Sequence, residues 1–275
     1  MAEERTADKA IGVFDSGIGG LTVVRELMRN LPNENIVYLG DTARLPYGTK
    51  SPEVVRRFAR ENLAFLKGKD VKLIIIACNT ASSVALPQLA KDEKLPVVGV
   101  IEPGAKAAVK VSGSRRIAVI GTTATIRSGS YERALKAIEP DVEIWPRACP
   151  LFVPLVEEGW LDCDVTRLTA ERYLSGIEDF GADVLVLGCT HYPLLKGVIQ
   201  NVVGEGVTLV DSAYETALEV ARVLKERGLE RSVDAKGKID VYVTDIPYSF
   251  KDVGERFLGS KIDGFSKVDL TEIEV

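Results

Sequence analysis

The sequence predicts an α/β fold of two pseudosymmetric, doubly wound domains with parallel sheets. Short aliphatic runs alternate with amphipathic helical stretches, which is typical of parallel sheets covered by helices on both faces. The segments at the strand ends also occur as two similar sets, one in each half of the chain. In this class ligands bind beyond the carboxyl ends of the strands, so the residues after each run are the candidates for chemistry.

Strands and helices can be assigned from these patterns along most of the chain. The candidate strands are Ile11–Phe14, Ile36–Gly40, Leu73–Ala77, Val97–Gly99, Ile117–Gly121, Glu143–Pro146, Val184–Gly188 and Thr208–Val210. The clearest helices are Leu21–Asn30, Glu53–Lys67, Tyr131–Ile138, Val165–Gly176 and Ala213–Arg227. The tail beyond residue 233 includes a further strand pattern, and we expect it to pack on the first domain.

Three pairs of strand-end segments match each other in the same order. The pairs are KAIGVFDSG (9–17) with RRIAVIGTT (115–123), NIVYLGD (35–41) with EIWPRAC (143–149), and LIIIACNTAS (73–82) with VLVLGCTHYP (184–193). The last pair aligns Cys78 with Cys189. We therefore predict two homologous domains, residues 1–100 plus 209–275 and residues 101–208, with the active site in the cleft between them.

Composition argues against nucleic-acid and membrane partners. The formal net charge is −5, and the charges form no basic block. The longest apolar runs, such as Ile74 to Cys78, are too short to span a bilayer. The first ten residues are charged and lack the apolar core of a secretory signal. We expect a cytoplasmic protein with reduced thiols.

The cysteine spacing predicts no metal site. Cys78, Cys149, Cys163 and Cys189 form neither a CxxC pair nor a zinc-finger pattern, and His191 is the only histidine. Cys149 and Cys163 are interpreted as ordinary small apolar residues that are buried.

Cys78 and Cys189 differ from the other two because each follows a strand and precedes polar residues that open a helix. A helix N-terminus stabilises negative charge, so a thiol there is expected to lose its proton more easily than a free one. Thr80 and Thr190 can add side-chain hydrogen bonds at the same turns. Two such thiols facing each other would place a base and an acid on opposite sides of a substrate. His191 could orient Cys189 or relay a proton.

The glycine-rich segment GVFDSGIGG (12–20) does not match a dinucleotide-binding fingerprint. Counted from Gly17, the GxGxxG pattern requires glycine where Thr22 stands. The loop offers instead Asp15, Ser16 and backbone N–H groups at a helix start, which suit an ammonium and a carboxylate together. A simple helix N-cap is the alternative role for Asp15.

Five motifs together resemble the glutamate racemase family, cofactor-independent enzymes that supply D-glutamate for bacterial peptidoglycan. They are FDSGIGGL (14–21), GDTARLPYG (40–48), ACNTAS (77–82), PLFVPLVEEG (150–159) and LGCTHYPLL (187–195). In the tail, SFKDVGERFLG (249–259) is also similar to the family. The resemblance implies two domains that contribute one catalytic cysteine each, with no cofactor and no metal.

The resemblance also implies a role for individual residues. The catalytic set would be Cys78 and Cys189 as the acid/base pair, Asp15 and His191 as their auxiliary groups, and Glu157 as a further acidic helper. The substrate would be held by Asp15, Ser16, Tyr47, Gly48, Asn79, Thr80, Thr190 and His191. Glu158 is left as the alternative to Glu157.

The expected reaction is the interconversion of L- and D-glutamate by proton transfer between a thiolate and a thiol. A related racemase, such as an aspartate racemase, stays open, because the cysteines alone do not set the length of the substrate side chain. A two-lobed amino-acid-binding protein and a thiol-dependent hydrolase are further alternatives, and the paired thiols argue against both. We expect a homodimer with glutamate as its small-molecule partner.

Overall fold

The computed structural model describes residues 6–233, 235–246 and 250–271. Residues 1–5 of the charged start and Ser249, the first residue of the tail motif, lie outside these ranges. Within them, no helix combines the length and the apolar character needed to cross a membrane.

The described ranges contain ten strands and thirteen α-helices. The strands are β1 (Ile11–Asp15), β2 (Ile36–Gly40), β3 (Leu73–Ile76), β4 (Val97–Gly99), β5 (Arg116–Gly121), β6 (Glu143–Ala148), β7 (Val184–Gly188), β8 (Thr208–Asp211), β9 (Ile239–Val243) and β10 (Ser266–Lys267). The helices are α1 (Leu21–Asn30), α2 (Pro52–Gly68), α3 (Asn79–Val84), α4 (Leu86–Asp92), α5 (Ile101–Val111), α6 (Thr123–Arg127), α7 (Ser130–Ile138), α8 (Phe152–Glu157), α9 (Asp164–Leu174), α10 (Ile177–Phe180), α11 (Lys196–Val203), α12 (Ser212–Glu226) and α13 (Phe250–Leu258).

The strands form two parallel sheets with a shared plan. The first sheet has the order β10-β9-β2-β1-β3-β4, and the second has the order β6-β5-β7-β8. Every paired neighbour is parallel. The second sheet therefore repeats the four strands β2-β1-β3-β4 of the first. The predicted fold class, α/β with two doubly wound parallel sheets, is confirmed.

Strand pairing bears on where the second domain ends. The predicted boundary between residues 208 and 209 falls inside β8, which pairs with β7 from Val184 onward. We propose that this boundary lies after Asp211, because the residues of β8 belong to the second sheet. The division into 1–100 plus 209–275 and 101–208 otherwise stays a prediction. In the tail, β9 pairs with β2 and β10 pairs with β9, so both strands extend the first sheet.

The central strands are buried on both faces, as their uninterrupted aliphatic sequences require. In β1, Val13 joins a core cluster with Leu27 of α1, whereas Phe14 joins the cluster on the opposite face with Leu63 of α2. Each such side chain stabilises the fold by about 1.5–3 kcal/mol relative to an exposed one. Helix α2 starts with favourable local chemistry, since Ser51 accepts a hydrogen bond from the backbone N–H of Val54.

Candidate active site

A cavity of about 20 Å³ lies between the carboxyl ends of the two sheets. It is lined by every predicted site residue except Asp15 and Glu157. Two larger hollows of about 510 and 460 Å³ lie beside α4 and α5, and their walls contain none of the predicted site residues. The small cavity is therefore the place where the thiols of both halves meet.

Cys78 is the N-cap of α3, as its position after β3 predicts. Its Sγ accepts a hydrogen bond from the backbone N–H of Ala81 at 3.4 Å, and its thiol donates to the Oγ of Ser16 at 3.5 Å. Burial and the nearby Asp15 carboxylate raise the pKa of Cys78 to about 12. The expectation of easy ionisation is therefore wrong for this thiol, because these two effects outweigh its hydrogen bonds at the helix start.

Cys189 is followed by a 3₁₀ helix and not by an α-helix of the kind that begins after Cys78, so the predicted helix start is only partly confirmed. The backbone N–H of Tyr192 donates to the carbonyl of Cys189 at 3.2 Å and starts a 3₁₀ turn over Tyr192–Leu195. An α-helix would need the next N–H of the chain as donor to that carbonyl, and Pro193 has none. Helix α11 begins only at Lys196. The thiol instead lies 3.9 Å from Nδ1 of His191.

His191 connects Cys189 with Glu157. The imidazole is buried, and its Nε2 lies 3.0 Å from Oε1 of Glu157, the last residue of α8. Burial acts to lower the pKa of His191, but hydrogen bonds with Cys189 and Glu157 outweigh it and raise the pKa to about 10. The ring is therefore positively charged at neutral pH. It also packs edge-to-face on Phe257 of α13, with the ring centres 5.2 Å apart.

Asp15 ends β1 in a fully buried position. Its Oδ2 accepts the backbone N–H of Gly17 at 3.0 Å. Its Oδ1 has no hydrogen-bond partner within the described part of the chain. Burial raises the pKa of Asp15, although the charge of His191 opposes this. The N-cap alternative is wrong, because α1 begins at Leu21 with Gly20 as its cap.

Two glycines allow the halves to approach each other closely at the cavity. A Cβ on Gly19 would lie 2.4 Å from the Oγ1 of Thr190, and a Cβ on Gly48 would lie 2.6 Å from the Cβ of Thr122. Both distances are far below van der Waals contact. Larger residues at these two positions would push the thiol-bearing turns apart.

Thr80 contacts the second half instead of its own turn. Its Oγ1 lies 2.9 Å from that of Thr122 and 3.2 Å from that of Thr125. Thr190 does bond locally, at 3.4 Å from Nδ1 of His191. Thr122, which lines the cavity, was not among the predicted residues. The repeat carried the signal that could have found it, because Thr122 aligns with Ser16 in the matched segments.

Tyr47 lines the cavity, but its hydroxyl is bonded elsewhere. That hydroxyl donates to the buried carboxylate of Asp41 and accepts from Nδ2 of Asn62 at 3.0 Å. The Asp41 carboxylate also accepts from the guanidinium of Arg44. These hydrogen bonds hold the loop from Asp41 to Gly48 in place. The Tyr47 hydroxyl is used in them, so the loop lines the cavity with its other atoms.

The assembled groups can move a proton but offer no metal cluster. Two thiols from equivalent strand ends line one cavity with the imidazole of His191. The buried Asp15 directly precedes Ser16, which is part of the cavity wall. Over the ranges that the structure describes, no three His, Cys, Asp or Glu side chains are grouped to hold a metal ion.

Comparisons with known proteins give concordant matches. The family model described as Asp/Glu/Hydantoin racemase matches residues 11–220. A glutamate racemase of Geobacter metallireducens is 55% identical over 262 residues, covering 95% of this chain and 97% of that protein. The structure of glutamate racemase from Francisella tularensis in complex with D-glutamate has a TM-score of 0.91 at 39% identity, covering 96% of this chain and 99% of that one. The Thermus thermophilus enzyme, in complex with beta-chloro-D-alanine, has a TM-score of 0.86 at 49% identity, covering 96% and 98%.

Proposed function

The chain belongs to the Asp/Glu/hydantoin racemase family, and from that premise we propose that Cys78 and Cys189 pass the α-proton of glutamate between them. The protein interconverts L- and D-glutamate and thereby supplies D-glutamate for peptidoglycan. The observation that carries the assignment of the two thiols is their common cavity, which they reach from equivalent ends of β3 and β7.

In the reaction one sulfur acts as a thiolate and takes the α-proton, so that the Cα–H bond breaks and an S–H bond forms. The electron pair stays on Cα as a carbanion-like species. The opposite thiol then donates its own proton to the other face of Cα and becomes the thiolate. Reaction in the opposite direction restores the original thiolate and thiol. No other acceptor of electrons is required.

Asp15 and His191 assist the two thiols in this proposal. His191 carries a positive charge close to Sγ of Cys189, and Glu157 anchors the far nitrogen of the ring. Asp15 shares the buried environment of Cys78 and retains an unbonded oxygen, Oδ1, that can accept a hydrogen bond from the substrate ammonium. Of the two candidate glutamates, Glu157 is favoured because its carboxylate reaches the ring.

The substrate is held by the polar groups around the cavity. The proposed binding residues are Asp15, Ser16, Tyr47, Gly48, Asn79, Thr80, Thr190 and His191. Unbonded buried atoms support this assignment, because such atoms are costly unless a ligand satisfies them. Asn79 contributes an amide nitrogen, Nδ2, that has no partner in the described ranges.

The cavity volume implies that the two halves separate to admit glutamate. A space of about 20 Å³ holds little more than one water molecule. The contacts that close it are the Thr80–Thr122 pair and the approach of Gly19 to Thr190. Closure then excludes water, which strengthens the electrostatic stabilisation of the carbanion-like species.

The function is tested by incubating the protein with L-glutamate in D₂O and following both optical rotation and deuterium at Cα. We expect racemisation with one deuterium incorporated at Cα, and much slower turnover of L-aspartate. Turnover of aspartate at the rate of glutamate would reassign the substrate. Binding of glutamate with no incorporation of deuterium would identify an amino-acid-binding protein instead.

We also propose a homodimer in the cytoplasm. Four large apolar side chains on and around α8 and α9 are about half exposed: Leu151, Trp160, Val165 and Leu168. A second copy covering this surface would bury it, and light scattering should then give a mass of roughly 60 kDa, twice the 29.9 kDa of one chain. The four free cysteines fit a reducing compartment.

A further inference from the structure

Tyr131 belongs to the second half, and its hydroxyl contacts Asn79, a residue of the first half that lines the cavity. It is the second residue of α7 and is buried. Its ring occupies space that Gly188 leaves free, and its hydroxyl lies at contact distance from Gly104. A Cβ on Gly188 would lie 2.9 Å from the ring atom Cε2, and a Cβ on Gly104 would lie 3.4 Å from the hydroxyl oxygen. The ring therefore packs between β7 and α5.

The hydroxyl of Tyr131 donates a hydrogen bond to Oδ1 of Asn79 at 2.7 Å. Burial raises the pKa of Tyr131, so the group stays protonated and remains a donor at neutral pH. The side chain of Ser212, the first residue of α12, lies near the same hydroxyl and acts to lower the pKa of Tyr131. If the serine proton points to the tyrosine oxygen, the single tyrosine proton is left for Asn79.

This bond decides which end of the Asn79 amide is free. A side-chain amide has an acceptor oxygen and a donor nitrogen, and rotating it by half a turn exchanges them. With Oδ1 bound to Tyr131, the two N–H groups of Nδ2 are left unbonded in the described structure, at a residue that lines the cavity. A carboxylate needs donors, and the rotated amide would present an oxygen that repels it.

We propose that Tyr131 is a positioning residue, which locks the Asn79 amide so that its N–H groups face a carboxylate of the bound glutamate. This proposal rests on the proposed function. In this proposal the hydrogen bond between Tyr131 and Asn79 forms when the two halves close, because the two residues belong to opposite halves.

The direct test is Tyr131→Phe, which keeps the ring and removes the hydroxyl. The KM for both enantiomers of glutamate should rise about tenfold while kcat stays within about twofold, because a carboxylate contact acts equally on substrate and transition state. Tyr173→Phe is the control. It removes a tyrosine hydroxyl outside the cavity, which accepts a hydrogen bond from the backbone N–H of Leu151 at 3.1 Å, and should lower the melting temperature without changing KM.

A double-mutant cycle separates positioning from general destabilisation. In an Asn79→Ala background, adding Tyr131→Phe should leave KM unchanged, because the amide that Tyr131 orients is gone. A full effect of Tyr131→Phe in that background, or a wild-type KM in the single variant, would overturn the proposal. If Tyr131→Phe does not fold, Ser212→Ala should raise KM at least twofold, and an unchanged KM would overturn the proposal equally. Failure of the wild-type protein to racemise glutamate would instead refute the proposed function.

Discussion

Cys78 and Cys189 hold equivalent positions after β3 and β7, but their neighbours carry opposite charges. Around Cys78, burial and the Asp15 carboxylate raise the pKa of the thiol to about 12. Around Cys189, Nδ1 of His191 lies 3.9 Å from the sulfur, and the pKa of this imidazole is raised to about 10. A negative charge on sulfur is thus opposed on the first side and stabilised on the second.

The comparison teaches how a repeated unit can supply both an acid and a base. The aliphatic strands and the two cysteines are shared, whereas the charged neighbours are not. In the matched segments Asp15 stands opposite Gly121, and His191 stands opposite Thr80. These two differences give the two thiols unlike surroundings, a carboxyl group beside Cys78 and an imidazole beside Cys189.

The largest effect on racemisation is expected when either sulfur is removed. Cys78→Ala and Cys189→Ala should each lower kcat for racemisation by at least about 10⁴-fold, because every turnover uses both proton carriers. Circular dichroism should show that both variants stay folded. Cys163→Ala is the control and should keep wild-type activity, because this cysteine does not line the cavity. Its interpretation as a buried residue is wrong, since the structure shows it exposed. Near wild-type turnover in either of the first two variants would refute the two-thiol mechanism.

The charged neighbours are tested by Asp15→Asn and His191→Asn, with an expected loss in kcat/KM of about 10²-fold each. Glutamate enantiomers have equal free energy in water, so each variant must lower kcat/KM by the same factor in both directions. The two variants should differ in which enantiomer shows the larger kinetic isotope effect with Cα-deuterated substrate. His191→Asn should raise it for the enantiomer whose proton Cys189 removes, and Asp15→Asn for the other. An increase for the same enantiomer in both variants would contradict the pairing.

The smallest effect is expected from Glu157→Gln, measured as the free energy of unfolding against pH. The raised folded pKa of His191 contributes stability that is full below the unfolded value of about 6.5 and is lost as pH rises through about 10. The variant should be less stable than wild type by about 1 kcal/mol at pH 7, since Glu157 is partly exposed, and equally stable above pH 10.

Glu158→Gln is the control for this measurement, because the neighbouring carboxylate is the alternative that the sequence left open. Its stability curve should follow that of the wild type over the whole pH range. A pH-dependent loss in Glu158→Gln, with none in Glu157→Gln, would move the role to Glu158.

The fold and the two thiols could be predicted because each depends on local sequence. A strand such as Val184–Gly188 reads as one aliphatic run and was found with the predicted bounds. Cys78 and Cys189 follow such runs in matching segments, so their convergence could be inferred from parallel-sheet topology.

What could not be predicted depends on distances across the fold. The pKa of Cys78 reflects burial and a carboxylate 63 residues earlier in the chain, and no local pattern encodes either. The bond between Tyr131 and Asn79 joins residues that are 52 positions apart in the chain. The absence of an α-helix directly after Cys189 is different, since Pro193 is visible in the sequence and has no N–H to donate to the Cys189 carbonyl.

The solitary histidine has a practical consequence for spectroscopy. A protein with one imidazole gives one set of histidine ring resonances, so these need no assignment. That ring lies edge-on against Phe257, whose ring current should shift its signals away from random-coil positions. Nuclear magnetic resonance of this one side chain would therefore report, in a single spectrum, the charge beside Cys189 and any rearrangement of the ring when glutamate binds.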